Sequence, residues 1–522
     1  MQLVSERGDS RRLAVVSATI TLALVALLGL AAQAQAVETL YWNNYQGDPD
    51  SIGFANPDGS GGGALNLGGV ELDGPEGMAV DPVTGRLYIA AYSNGSDDKG
   101  EIVFANLAGG GGVFTAPGAP VDVPEGLTVD PATRTIYWIN TGANESIAWA
   151  RLDGSAGGTL NLAGANFNGP YRLALDPVAG RVYWGSESEA SKELVISYAN
   201  VNNTGGGNLN TTGATPDTST NGIAVDPAAG RVYWLNEVAE TVSYTKLDNS
   251  GSGDIDTSGA TYDGPFGLAL DPGTGKAIWS NYNNGDDRNA VFGVANYLTG
   301  GGGGAISVAS APVDGPQDPI LMKSPTGTGA PVVARTTTSR ASLSCSTGTW
   351  APDYPGSFVY QAPQSYAYQW TLNGQPVVGA TASALTATAP GAYACSVTGG
   401  NVTGAATQTS APVTLKASKV KLTTKKKAKA DPGDLVTFQV KIVNQGDIQS
   451  KKARICVKLP GAAKDDLRKP KCKKLGSLTG FAKRTAKFRI KVKPGADEGT
   501  DKLTFQVKGT PGKAAKAKII VR

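Results

Sequence analysis

From residue 38 to about residue 322, short apolar runs alternate with turn chemistry in a fixed order. One stretch shows the whole unit. Gly222-Ile-Ala-Val-Asp226 is short and apolar, as expected for a strand buried on both faces. Pro227-Ala-Ala-Gly230 is a turn, with Pro presetting φ and Gly supplying a positive one. Arg231-Val-Tyr-Trp-Leu235 is β-branched and aromatic and returns antiparallel to the first strand. A third strand follows at Val242-Ser-Tyr-Thr-Lys246. The fourth reads Gly-Gly-Thr159-Leu-Asn-Leu162 or Gly-Gly-Ala64-Leu-Asn-Leu67 in other units. Each unit therefore spells four strands, A to D.

The unit repeats. Its turn begins at Asp81-Pro82, Asp130-Pro131, Asp176-Pro177, Asp226-Pro227 and Asp271-Pro272, spacings of 49, 46, 50 and 45 residues. Four short strands per repeat of this length predict a β-propeller. The first unit opens at strand B (Thr39-Leu-Tyr-Trp-Asn43), and a lone strand-A lead-in closes the series at Asp314-Gly-Pro316. Five complete units, plus B, C and D at the start and A at the end, make six blades. The last strand is expected to complete the first blade and so remove exposed edges.

These residues resemble the YWTD repeat, also called the low-density-lipoprotein-receptor class B repeat, a family of six-bladed propellers. Tyr41-Trp42, Tyr137-Trp138, Tyr183-Trp184 and Tyr233-Trp234, the Asp-Pro-x-x-Gly-Arg turn and Leu152-Asp-Gly-Ser155 carry the likeness. The chain departs at the last two motif positions, with Trp-Asn-Asn, Trp-Ile-Asn, Trp-Gly-Ser and Trp-Leu-Asn. The resemblance implies extracellular ligand binding and no catalysis.

Around this region the chain divides further. Residues 1–36 read as a signal peptide, with an uncleaved membrane anchor as the alternative: Arg7, Arg11 and Arg12 precede an apolar run from Leu13 to Ala32, and Ala34-Gln-Ala36 offers a cleavage site. The propeller spans 37–323. Residues 324–416 resemble a bacterial immunoglobulin-like domain, because Cys345 and Cys395 flank Trp370 symmetrically and Tyr393 lies two residues before the second Cys. The resemblance implies a Cys345–Cys395 disulfide. Residues 417–522 alternate apolar residues with Lys, as in Lys487-Phe-Arg-Ile-Lys-Val492, and resemble small adhesion-like β-sandwiches. Cys456 and Cys472 are expected to clip a loop there. The fold class is all-β: a six-bladed propeller followed by two β-sandwiches.

Charge changes the picture at residue 417. Residues 37–416 carry 15 basic and 34 acidic side chains, while 417–522 carry 29 basic and 8 acidic. The overall charge of +3 conceals this step. Lysines on a wet sheet face keep a small sandwich soluble and discourage edge aggregation. The sharper reading is an anchor to anionic cell-envelope polymers. Nucleic acid is not expected, since Phe438, Phe481, Phe488 and Phe505 are placed as core residues.

Catalytic chemistry is sparse. The chain has no histidine, which excludes Ser-His-Asp and Cys-His arrangements and imidazole metal sites. Carboxylates remain. The D–A connections and B–C loops share one propeller face, which places Asp73, Asp263 and Asp314 with Asp97, Asp98, Asp286 and Asp287. These either make Asx turns or form a ligand face; clustered oxygens would suit Ca²⁺, but no contiguous calcium loop is present. No cofactor is expected. The sequence thus describes a secreted or cell-surface binding or adhesion protein, with an extracellular protein or glycan as the propeller's ligand. The alternative is a carboxylate-dependent propeller enzyme, a lactonase or sugar hydrolase.

Overall fold

The computed structural model describes residues 38–522, apart from 48, 94–98, 188–192, 216, 219, 285–290, 309–310 and 337–339. Six four-stranded antiparallel units form the propeller, each in the order A-B-C-D from the axis outward. The blade at 220–254 is representative. Thr220–Asp226 pairs with Arg231–Asn236, that strand with Thr241–Lys246, and the third with Ser252–Asp254. The D strands are short, two to four residues, and Gly-rich. Closure follows the expected scheme: Pro316–Lys323 pairs antiparallel with Glu38–Asn44, placing Leu321 opposite Leu40.

Each recurring element of the repeat has a mechanical reason. In the A–B turns the Asp side chain accepts backbone N–H bonds from the turn, as Asp226 Oδ1 does from Ala228 and Ala229 at 3.0 and 3.1 Å. The turn's last position is left-handed in all five repeats: glycine in four, and Arg134 at φ 57° in the other. Arg134 forms an ion pair with the buried Asp81 of the preceding blade. The tryptophans wedge between blades, and their indole N–H groups donate to carbonyls of the D–A connections: Trp42 to Pro312, Trp138 to Pro120, Trp184 to Asn166 and Trp279 to Thr261. The Asn two residues on is a buried brace. Asn44 accepts from both the Trp42 indole (3.1 Å) and the Asp314 backbone N–H (3.1 Å). The departures from Trp-Thr-Asp therefore sit in the scaffold.

The two sandwiches follow. A four-stranded run of Gln375–Pro376, Ser365–Leu372, Gly391–Gly400 and Ala405–Thr409 packs with a smaller sheet around Trp370, which is fully buried. A Cys345–Cys395 disulfide crosses this core, and the Tyr393 hydroxyl donates to the Ala389 carbonyl at 2.8 Å. The C-terminal sandwich has two five-stranded sheets closed over Phe438, Phe488 and Phe505, with a Cys456–Cys472 disulfide. Phe481 differs from expectation. It is 42% exposed, with the Arg340 guanidinium stacked 4.4 Å from its ring centre.

One feature had no sequence signal. The segment Tyr354–Tyr360 leaves the first sandwich and enters the propeller at the end where the A strands finish. Val359–Tyr360 adds a short parallel strand beside Leu321 and Met322. Ser357 donates to the Val225 carbonyl at 2.7 Å, and Gly356 lies so close to Leu175 that a Cβ would stand 2.0 Å from its carbonyl oxygen. Phe358, at φ 57°, points its ring up the axis.

Candidate functional site

Aligning the six strand-A lead-ins shows what lines the axis. The first position is Glu76, Glu125, Tyr171, Asn221, Phe266 and Gln317; the second is Gly77, Gly126, Arg172, Gly222, Gly267 and Asp318. Glycine dominates the second position because neighbouring A strands nearly touch there. A Cβ on Gly126 would lie 2.5 Å from the Arg172 Cα, and one on Gly267 2.4 Å from the Asp318 Cα. Arg172 and Asp318 are the two exceptions. They belong to blades three positions apart in a ring of six, so they face each other across the axis.

They meet there. Arg172 Nε donates to Asp318 Oδ1 at 2.9 Å, and its terminal nitrogen donates to Glu76 Oε2 and Gln317 Oε1, each at 3.1 Å. Phe266 closes one side, its centroid 4.6 Å from the guanidinium carbon. Asn43 donates to the same Gln317 oxygen at 3.1 Å. Glu125 stands beside this network, one oxygen receiving the Thr141 hydroxyl at 3.0 Å. Below lies an apolar layer that includes Met78, Leu127, Ile223 and Leu268, around a cavity of about 10 Å³, with Phe358 as its floor.

Burial sets the electrostatics. It pushes the Glu125 carboxyl up to about 7, with Arg172 pulling it down and Glu76 adding to the rise. It raises Asp318 to about 6 against the same pull from Arg172. Glu76 is also raised by burial, again opposed by Arg172. Three buried oxygens in this group have no hydrogen-bond partner among the described residues: Glu125 Oε2, Asp318 Oδ2 and Asn43 Oδ1. Buried acceptors are normally satisfied, so three such oxygens at one place set this group apart from the rest of the propeller core.

The rim is aromatic. Tyr282 stacks on Phe266 (5.4 Å between ring centres) and lies 6.3 Å from Tyr45, while Gln46 donates to its hydroxyl at 2.9 Å. Tyr92 and Tyr171 are 43% and 45% exposed. Burial, followed by the charge of Glu125, Glu237 and Glu76, raises the Tyr171 hydroxyl. The mouth thus joins acceptor oxygens to flat apolar faces.

The residues singled out from sequence lie farther out. Asp73, Asp263 and Asp314 are exposed on the rim, and their carbonyls accept from Ser93, Asn283 and Gln46, tying D–A connections to B–C loops. Asp73 and Asp314 share a neighbour in Asp50, whose carboxyl is raised by burial and then by their charge. Asp97, Asp98, Asp286 and Asp287 lie outside the described residues. The axial group does not fit a metal ion, because the Arg172 guanidinium already fills the place between its carboxylates. Among the described residues, no three His, Cys, Asp or Glu side chains are grouped to hold one.

No protein-family model matches the chain, and no curated protein matches it with significance. Solved structures do. A gluconolactonase from Xanthomonas campestris is similar at 12% identity, over 59% of this chain and 92% of its own, with a TM-score of 0.36. The periplasmic gluconolactonase of Pseudomonas aeruginosa is similar at 13% identity, over 55% and 99%, with a TM-score of 0.37. A CARDB domain from Pyrococcus furiosus is similar at 16% identity, over 20% and 89%, with a TM-score of 0.17.

Proposed function

We propose that the protein acts outside the cytoplasm as a carbohydrate-binding protein, with the propeller mouth as its sugar site. The observation that carries this reading is the set of three unpartnered buried oxygens, Glu125 Oε2, Asp318 Oδ2 and Asn43 Oδ1, beneath a rim of tyrosines. Acceptor oxygens need a ligand rich in hydroxyl donors. Flat aromatic faces suit the apolar C–H faces of a pyranose. Two disulfides fit an oxidising compartment. No helix among the described residues is long and apolar enough to cross a membrane.

A second reading is favoured by one observation. A carboxyl raised to about 7, as on Glu125, can donate a proton near neutrality. With Glu76 beside it, a metal-free hydrolysis of a lactone or glycoside is the competing activity.

The test separates the two. The protein is screened on a glycan array and then titrated calorimetrically with the sugars found. Wild type is compared with Glu125→Gln and with the double variant Arg172→Gly/Asp318→Gly, which restores the glycine found at that position in the other four blades. Binding without turnover, lost in both variants, supports recognition. Release of product from aldonolactones or nitrophenyl glycosides, with a rate falling as pH rises through about 7 and abolished in Glu125→Gln, supports hydrolysis. No binding and no turnover would sink both.

A further inference from the structure

Both outer faces of the C-terminal sandwich carry cations, but the strand register arranges them in two different ways. One sheet is built from Lys427–Ala430, Ala515–Val521, Gly499–Lys508, Ala453–Lys458 and Lys473–Gly476. There Lys518 stands directly opposite Lys427 on one side and Lys502 on the other. Three lysines therefore form a row across three strands, about 4.8 Å from strand to strand. On the same sheet Arg454 faces both Lys508 and Lys474. On the opposite sheet Lys441 faces Thr485, Lys487 faces Gln439 and Arg489 faces Thr437, and the cations that do face each other, Lys421 with Lys513 and Arg468 with Lys491, stop at single pairs at the two sheet edges.

The difference matters because like charges directly opposite each other destabilise a sheet, whereas interleaved ones do not. Solubility needs only the interleaved pattern. All three lysines of the row are exposed, and none is in an ion pair among the described residues. The row keeps a repulsion that the fold itself does not neutralise.

We propose that this face binds a flexible, phosphodiester-linked polyanion laid across the Lys427–Lys518–Lys502 row. The partner is base-free, because the face has no aromatic platform on which bases could stack. Phe438, Phe488 and Phe505 lie in the core, and Phe481, half-exposed beside Arg340, belongs to none of the strands of this sheet. Lysines dominate the row, and they offer point charges in place of the planar fork with which Arg grips a carboxylate. Such contacts tolerate a polymer that slides in register. A phosphodiester also keeps its full charge at every pH the protein meets. This site is independent of the propeller mouth.

Synthetic poly(glycerol phosphate) is the probe, used with the full chain. Wild type is compared with Lys427→Gln/Lys502→Gln/Lys518→Gln and with a control triple on the opposite sheet, Lys441→Gln/Lys487→Gln/Arg489→Gln. The row triple should lose roughly ten-fold or more in affinity at low salt, and its log–log salt slope should fall by about two, since each phosphate contact contributes about 0.7 to 0.9. The control should lose less than about three-fold. The polymer should raise the Tm of wild type and not of the row triple, while the unliganded row triple should melt above wild type. Equal losses in both triples would mean diffuse attraction and overturn the site. So would failure of wild type to bind, or binding of poly-dT as tight as that of the polymer.

Discussion

Glu125 has one carboxyl oxygen held by Thr141 and the other buried without a partner, and this gives it a measurable signature in pH. Its proton is retained up to about 7 in the folded chain, against an ordinary 4.5. Asp318 moves the same way, from 3.8 to about 6. Between those limits the folded state holds more protons than the unfolded one, so stability falls as pH rises and levels off above 7. Carboxyls shifted the other way, such as the hydrogen-bonded Asp254, act below pH 4. The Tm of the propeller should therefore drop from pH 4.5 to 7. Glu125→Gln should remove roughly 2–3 kcal/mol of that drop. Calorimetric melting at four pH values decides it, and parallel curves for variant and wild type would mean that Glu125 is ionised throughout. The group was hidden in the sequence for a physical reason. Asp and Asn in loops announce themselves by turn chemistry, which is why Asp73, Asp263 and Asp314 stood out, whereas Glu76 and Glu125 sit inside strand starts. The available signal was a substitution pattern: Arg172 and Asp318 replace glycine at one register position of the repeat.

At the level of single strands the chain was far more legible. The alternation of apolar runs and Asp-Pro turns fixes A, B and the turn between them, because both strand burial and turn capping demand particular residues there. Latching is equally local. Lys323 stands one residue past the register of the turn Asp, which Met322 occupies here, and its ammonium reaches Asp271 at 2.9 Å and Glu38 at 3.0 Å, joining the last strand to the first and to its neighbour. Lys323→Met should leave Asp271 buried with the Thr274 hydroxyl and turn amides but without its cation, at a cost of about 3–5 kcal/mol. Lys323→Met/Asp271→Asn should recover much of that loss. Urea unfolding followed by tryptophan fluorescence measures both, since five buried tryptophans report on the blades. An unchanged midpoint in the single variant would show that backbone pairing alone holds the latch. The Tyr354–Tyr360 insertion left no such trace, because its partner surface is assembled from six distant strands.

Across the whole molecule, that insertion makes the propeller and the first sandwich one mechanical body. Phe358 closes the axis against a ring of apolar side chains, and Asn401 donates to the Lys323 carbonyl at 2.8 Å beside it. Arg335 pairs with Asp447 at 3.0 Å, fastening the two sandwiches in turn. Phe358→Ala should cost about 3 kcal/mol of propeller stability, the usual penalty for emptying a buried aromatic site. A fragment ending at residue 325 should melt below the full chain and bind a hydrophobic dye. Equal melting temperatures would mean that the stopper adds nothing to the ring. The stopper also imposes an order in time. Lys323 precedes Phe358 by 35 residues, so a chain that emerges from its N-terminus can shut its ring while the lower opening still exposes Met78, Leu127, Ile223 and Leu268. In that interval the newborn ring is a half-finished vessel, greasy at the base, and a chaperone that recognises apolar surface has its one natural moment to hold it.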